Sequence, residues 1–213
     1  VDLVLMDKTS AAGYMGASSP DADLGIARVF PLERAPGVKL FAFGRDFDTT
    51  CYSDDGSQYA ELWGGITPTF GDTATLLAQG TRQWTETWLP VHGLGGLSGA
   101  TPEAAFLATW DGTELRVGVA TPRPRRLVLT VSDGDGELYR QTCATDPRQP
   151  YAASVRPTRP VAGTPTLRVL AEDGGLLAEH FWSPGPRGRE TALAAELEGL
   201  GARQVQAVPG GVG

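Results

Sequence analysis

The chain contains few of the residues from which metal centres and disulfide frameworks are built. Its 213 residues include only two cysteines, Cys51 and Cys143, and two histidines. No Cys-x-x-Cys motif or Cys/His cluster occurs, which argues against a zinc module and against a small disulfide-stapled domain. We therefore expect two unpaired thiols, no metal and no cofactor.

Positive charge and long apolar runs are scarce as well. Lys8 and Lys39 are the only lysines, and 18 basic residues stand against 25 acidic ones, for a net charge of −7. A protein that binds nucleic acid normally carries a stripe of basic residues. Because this chain has no such stripe, we expect no nucleic-acid partner. No apolar run reaches the roughly 18 residues of a membrane-spanning helix, so no membrane partner is expected either. These features favour a soluble protein, slightly more in the cytoplasm than outside the cell.

Glycine and proline, by contrast, are abundant. The chain has 28 glycines and 16 prolines, which is typical of short strands joined by turns, and its 41% of hydrophobic residues suffice for a buried core. A glycine-rich stretch over 92–99 and the run 183–188 mark two breaks. This division predicts a first domain over 1–96 with a net charge of −6, a second domain over 97–182 with a net charge of −1, and a tail over 183–213.

Short apolar patterns bounded by turn residues predict strands in both domains. In the first domain they cover Val1–Met6, Leu24–Phe30, Val38–Phe43, Tyr59–Trp63 and Thr81–Leu89. In the second they cover Ala104–Trp110, Glu114–Ala120, Arg126–Asp133, Leu138–Ala144, Tyr151–Arg156, Thr166–Ala171 and Leu176–Trp182. This regular series is typical of an immunoglobulin-like β-sandwich. In the tail, the helix-forming residues of 190–200 predict a short helix, and the glycine-rich segment 209–213 predicts a disordered end.

Aromatic residues and glutamates alternate on one face of two predicted strands of the first domain. These residues are Tyr59, Glu61 and Trp63 in one strand and Trp84, Glu86 and Trp88 in the other. A sugar site uses such a pattern because ring faces stack on C–H groups while a carboxylate binds hydroxyls or moves a proton. The same spacing also suits ordinary sheet faces, with aromatic rings packed inward and glutamates at an edge.

Several motifs of the first domain occur together in one known fold. They are the run Tyr59–Phe70, an L-x-x-G-x-x-x-W-x-E motif from Leu77 to Glu86, and a strand pair at Gly25–Pro31 and Pro36–Gly44. In this order they resemble the C-terminal half of the galactose mutarotase-like supersandwich, over residues 20–92. The closest resemblance is to an uncharacterised family of the DUF5107 type that shares this sandwich.

The resemblance implies a partial mutarotase-like β-sandwich and a role for one glutamate. In aldose 1-epimerases of this fold, a glutamate on the matching strand is the general base for the anomeric hydroxyl, and Glu61 would take this role. The partner histidines of those enzymes come from the N-terminal half, and neither His92 nor His180 matches them. Because the chain opens inside the apolar stretch 1–6 without a leader, we expect a segment of a longer protein whose N-terminal segment is a partner.

Three functions are consistent with these residues. The preferred prediction is a carbohydrate-recognition module that is non-catalytic or catalytically incomplete, with a carbohydrate as its ligand. The first alternative is an epimerase-type enzyme that uses Glu61 as base together with the absent N-terminal segment. The second is a structural or interaction module whose aromatic face packs against another domain.

Two further charged clusters are assigned to solvated turns. The acidic cluster lacks the spacing of a calcium-binding loop, and it consists of Asp46, Asp48, Asp54 and Asp55. The basic cluster accompanies Pro122 and Pro124, and it consists of Arg123, Arg125 and Arg126.

Overall fold

The computed structural model describes residues 4–6, 13–19, 22–41, 52–55, 57, 59, 61–69, 71–110 and 113–181. Within these residues fourteen strands form, and all their pairings are antiparallel. In chain order they are β1 Val4–Met6, β2 Tyr14–Ser19, β3 Leu24–Val29, β4 Lys39–Phe41, β5 Glu61–Trp63, β6 Thr87–His92, β7 Gly99–Thr101, β8 Ala104–Trp110, β9 Leu115–Ala120, β10 Arg125–Asp133, β11 Gly136–Thr145, β12 Tyr151–Val155, β13 Thr166–Ala171 and β14 Leu176–Phe181. The predicted all-β class is confirmed.

The chain divides into two compact units. The first unit includes β1 and the described part of 30–86, and the second includes 14–29 and 87–181. Residues 14–29 and 87–96 therefore cluster with the C-terminal strands, whereas the sequence-based division assigned them to the first domain. The glycine-rich stretch 92–99, which the sequence marked as a break between domains, also lies within the second unit, where Leu94 and Ser98 are buried.

The first unit contains a three-stranded sheet of strand order β1-β4-β5. Lys39 of β4 lies opposite Trp63 of β5, and Leu40 lies opposite Leu62. Upstream of β4 the chain turns at Pro31, whose carbonyl oxygen accepts hydrogen bonds from the backbone of Arg34 and Ala35. Within the described sheet β5 is an edge strand, so one of its sides is not covered by a described neighbouring strand.

The core of the second unit lies between two four-stranded sheets, of orders β12-β9-β8-β7 and β11-β10-β13-β14. Apolar side chains of both sheets alternate along their strands and meet in this core. From the first sheet they include Phe106, Leu115 and Val117, and from the second Leu127, Leu129, Val131, Leu167 and Val169. These two sheets form the β-sandwich expected from the sequence.

A third sheet, of order β2-β3-β6, packs on the outer face of this sandwich. The contact is a second buried cluster with Ala105 and Leu107 from β8 and Ala27, Leu89 and Val91 from β3 and β6. Neighbouring side chains of β8 point to opposite faces, so β8 is buried on both sides. This explains its uninterrupted apolar run over 104–108, which is typical of strands in a middle layer.

The strand predicted over 81–89 begins only at Thr87, so that prediction is wrong for 81–86. β6 pairs with β3 as far as Thr87 opposite Val29, where the ladder ends. Phe30 then donates its backbone N–H to the carbonyl oxygen of Gly13, and Pro31 has no N–H to donate. Residues 81–86 therefore have the alternating sequence of a strand, but no neighbouring strand pairs with them in the described structure.

Two strands were not predicted because their sequences are rich in small residues. β2 contains Gly16 and β7 begins at Gly99, and glycine has a low intrinsic preference for strands. Tertiary packing requires both glycines: a Cβ on Gly99 would lie 2.2 Å from the Phe106 ring, and one on Gly16 would lie 2.3 Å from the Leu97 side chain. Their strand conformation is thus set by distant neighbours.

Several predictions lie outside the described residues. They are the helix over 190–200, the disordered end over 209–213 and the state of Cys51. Cys143 is described, and it is a free thiol whose pKa is raised by burial. Of the described residues, none forms a helix with the length and apolar character needed to cross a bilayer.

Candidate functional site

The edge strand β5 carries two of the predicted site residues. Glu61 and Trp63 are two positions apart on this strand, so their side chains point to the same face. Glu61 is half-buried, whereas Trp63 has 37% of its surface exposed. Tyr59 lies just before the strand, and Glu61 is the first residue of β5. The structure therefore places a carboxylate and an accessible indole on the same face of β5.

Tyr59 and Glu61 are joined by a direct hydrogen bond. The Tyr59 hydroxyl donates to Oε1 of Glu61 over 2.5 Å. This bond raises the pKa of Tyr59, because ionisation would remove the donated proton and place a second negative charge beside the carboxylate. Among the described residues, no hydrogen bond or ion pair reaches Oε2 of Glu61. One carboxylate oxygen is thus fixed by Tyr59, and with respect to the described residues the other is available as an acceptor.

A second tyrosine, which the sequence did not single out, extends this aromatic surface. The rings of Tyr52 and Tyr59 are stacked, with centroids 5.7 Å apart and planes inclined by 25°. The loop that carries Tyr52 is held by Ser57, whose backbone N–H donates to Asp55 and whose carbonyl oxygen accepts from the Ser53 hydroxyl. Tyr52 precedes a turn and belongs to no periodic pattern, so only the fold reveals its position.

A buried lysine lies across the sheet from Trp63. Lys39 is 5% exposed, and its Nζ donates to the carbonyl oxygen of Thr67 over 3.3 Å. Its backbone is the register partner of Trp63. A lysine with an apolar stem and a bonded head group is stable at such a position. No sequence pattern indicated this role, because Lys39 is an isolated cation in an apolar strand.

The second predicted aromatic–carboxylate pair also forms. The indole N–H of Trp84 donates to Oε1 of Glu86 over 2.8 Å, and both side chains are half-buried. The pair lies in the irregular segment before β6 and not in a strand. Gln83 directly precedes Trp84, and its carbonyl oxygen accepts a hydrogen bond from the guanidinium of Arg34 over 3.3 Å. No described contact joins this pair to Glu61 or Tyr59.

Trp88, the sixth predicted site residue, belongs to the other unit. It lies on β6, with 45% of its surface exposed, and its register partner on β3 is the fully buried Arg28. The structure thus brings together Tyr59 with Glu61 and Trp84 with Glu86. It assigns Trp88 to the sheet that packs on the β-sandwich.

Both histidines of the chain also lie in the second unit. Nε2 of His92 is 2.9 Å from the carbonyl oxygen of Pro147. The His180 ring lies against Phe106, with ring centroids 5.7 Å apart, and burial lowers its pKa. Neither histidine belongs to the unit that carries Glu61.

Acidic residues of the described chain do not form a metal site. No group of three or more His, Cys, Asp or Glu side chains with suitable geometry occurs in the described residues. Asp54 and Asp55 are exposed in their turn, and the hydrogen bonds from Ser57 lower the pKa of Asp55. Asp46 and Asp48 lie outside the described residues.

Comparison with known proteins found no counterpart: no family model, no curated protein and no solved structure matches the chain. The function of the site is therefore argued from its own geometry.

Proposed function

We propose that the first unit is a non-catalytic carbohydrate-recognition module whose site is formed by Tyr52, Tyr59, Glu61 and Trp63. The observation that carries this proposal is the Glu61 carboxylate, which is fixed through Oε1 by Tyr59 and retains Oε2 as an acceptor beside the exposed Trp63. A ligand-binding role for Trp84, Glu86 and Trp88 stays a prediction from the sequence pattern.

The chemistry of these groups suits a polyhydroxylated ligand. The apolar faces of a sugar ring stack on aromatic side chains, and its hydroxyl groups donate to carboxylate oxygens. A hydrogen bond to a charged group contributes about 1.5–3 kcal/mol, which corresponds to roughly a tenfold or greater change in affinity. A carboxylate held by a neighbour also loses less side-chain freedom when the ligand binds.

Binding is favoured over catalysis by the composition of the unit. An epimerase needs a base and an acid on opposite sides of the sugar. Glu61 can serve as the base, but the described part of the first unit contains no histidine to serve as the acid. Accelerated mutarotation of an aldose, lost in Glu61→Gln, would favour the epimerase alternative instead.

The finer fold assignments are also proposals. We propose that the domain predicted over 97–182 is immunoglobulin-like, which the non-sequential pairings of β9 with β12 and of β10 with β13 support. In a constant-type immunoglobulin domain, the fourth strand belongs to the same sheet as the first strand. Here β11, the fourth strand counted from β8, pairs with β10 instead. The mutarotase-like assignment of 1–96, with an N-terminal partner segment, is supported only by the sequence motifs.

The experiment is a screen of intact protein against neutral, amino and acidic glycans, followed by tryptophan fluorescence. Binding of at least one glycan is expected, and Trp63→Ala should weaken it at least tenfold. Phe181→Ala is the matched control, because Phe181 is an aromatic residue with 62% exposure in the second unit. A screen without any Trp63-dependent binding would overturn the proposal.

A further inference from the structure

We infer that the Glu61 site prefers sugars that carry a protonated primary amine over neutral and acidic sugars. This inference rests on the proposed function and adds to it the chemical class of the ligand. It is carried by the bonding state of Glu61 and by the aromatic rings around it.

The first argument concerns the charge of Glu61. Its one described partner is the neutral hydroxyl of Tyr59, and no cation among the described residues forms an ion pair with it. A half-buried carboxylate without a cationic partner gains more from an ammonium donor than from a hydroxyl donor. A hydroxyl that donates to a carboxylate already forms a charge-assisted hydrogen bond, and an ammonium donor adds to this the attraction between two opposite charges.

Lys39, the nearest cation in register, does not fill this role. It lies opposite Trp63 on β4, but its ammonium group donates to the carbonyl oxygen of Thr67. Lys39 therefore does not neutralise the Glu61 carboxylate. A ligand cation could supply the missing charge at Oε2.

The second argument concerns the rings of Tyr52, Tyr59 and Trp63. An ammonium group within about 6 Å of an aromatic ring is attracted to the electron-rich ring face, most strongly by tryptophan. Tyr52 is 40% exposed and Trp63 is 37% exposed, so both rings are accessible to a ligand. A sugar amine bound at Oε2 would thus have a carboxylate and nearby ring faces as partners, whereas a hydroxyl would gain only the hydrogen bond.

The third argument concerns the surrounding charge. Residues 30–86, which belong to the first unit, contain eight acidic and four basic residues, and their net charge of −4 attracts a cationic ligand and repels a uronic acid or a sulfated glycan. This long-range effect weakens as salt is added, whereas the contact at Glu61 is screened much less. The two contributions can therefore be separated experimentally.

Three β-1,4-linked tetrasaccharides that differ in one substituent test the inference. Cellotetraose carries a hydroxyl at C2, tetra-N-acetylchitotetraose an acetamide, and chitotetraose a free amine. Calorimetric titration of the intact protein at physiological salt, at a pH low enough to keep the C2 amines protonated, should show chitotetraose binding at least tenfold more tightly than the other two. Glu61→Gln should abolish this preference.

Glu33→Gln is the charge-matched control, because Glu33 is an exposed glutamate of the same unit. It should leave the preference for the amine intact. If Glu61→Gln and Glu33→Gln lost the preference for chitotetraose to the same extent, the preference would arise from the overall negative charge, and the inference would be overturned. Failure of chitotetraose to bind, or equal binding of chitotetraose and cellotetraose, would overturn it as well. If a neutral glycan still binds in a Trp63-dependent manner, only the amine preference fails and the proposed function stands.

Discussion

The side chain of Asp133 is fully buried and forms a two-pronged ion pair with Arg159, with contacts of 2.8 Å to Oδ2 and 2.6 Å to Oδ1. The backbone N–H groups of Ala162 and Asp135 complete its hydrogen bonds. Asp133 is the last residue of β10, so this cluster attaches the loop before β13 to the sandwich. The bond from Arg159, above all, holds the pKa of Asp133 well below its ordinary value of 3.8.

Asp133→Asn should therefore lower stability and remove part of its dependence on acid. A carboxyl whose pKa is lowered by folding stabilises the protein while it is ionised, and this contribution is lost as the pH falls below 3.8. Urea unfolding between about pH 5 and pH 1 measures the effect. Glu137→Gln is the control, because Glu137 forms an exposed pair with Arg140. Parallel pH profiles for Asp133→Asn and the unaltered protein would contradict the prediction.

His180 should destabilise the protein in mild acid. Burial lowers its pKa below 6.5, so the unfolded chain takes up a proton at a higher pH than the folded chain. Stability must then fall as the pH drops below 6.5, and His180→Gln should reduce this slope. Unfolding midpoints between about pH 5 and pH 8 give the slope. His92→Gln is the control. If His92→Gln reduced the pH slope as much as His180→Gln does, the slope would not arise from the burial of His180.

Gly99→Ala should destabilise the sandwich by overpacking. The new methyl group would lie 2.2 Å from the Phe106 ring, so either the ring or β7 must move. Overpacking of this kind costs about 1–3 kcal/mol. Denaturant unfolding measures it against Gly134→Ala, where the nearest atom is 3.9 Å away. Equal stability of the two variants would show that the Phe106 ring adapts without cost.

Leu129→Ala should lower the free energy of unfolding by about 2–5 kcal/mol, because it leaves a cavity between the sheets. Leu129 has no exposed surface, whereas Leu77, the control, is 76% exposed. Leu77→Ala should change stability by less than about 0.5 kcal/mol. Similar losses in both variants would contradict the assignment of the core to the β-sandwich.

The extent to which the sequence predicted this fold depends on where each pattern finds its partner. β8 and β13 were predicted with their observed bounds, because local signals mark both: an Asp-Gly turn follows each strand, β8 has a continuous apolar run, and β13 has alternating apolar residues. β2 and β7 were not predicted, since packing around Gly16 and Gly99 decides their conformation. The alternation before Thr87 was misleading, because a strand also needs a neighbour to accept its hydrogen bonds.

The site shows the same limit. Tyr59 and Glu61 are two residues apart, so their association follows from local spacing. Tyr52 and Lys39 reach the site through a loop and a neighbouring strand, which no local pattern encodes. Trp88 was grouped with Trp84 by alternation alone, although the irregular segment before β6 separates their surroundings.

The central claim is that Glu61 and Trp63 form a sugar site on β5. Calorimetric titration with the glycan that binds best in the screen tests it most directly, in the unaltered protein and in Glu61→Gln and Glu33→Gln. The account predicts saturable binding with one ligand per chain, at least tenfold weaker in Glu61→Gln and unchanged in Glu33→Gln. Binding that is equal in all three proteins would contradict it.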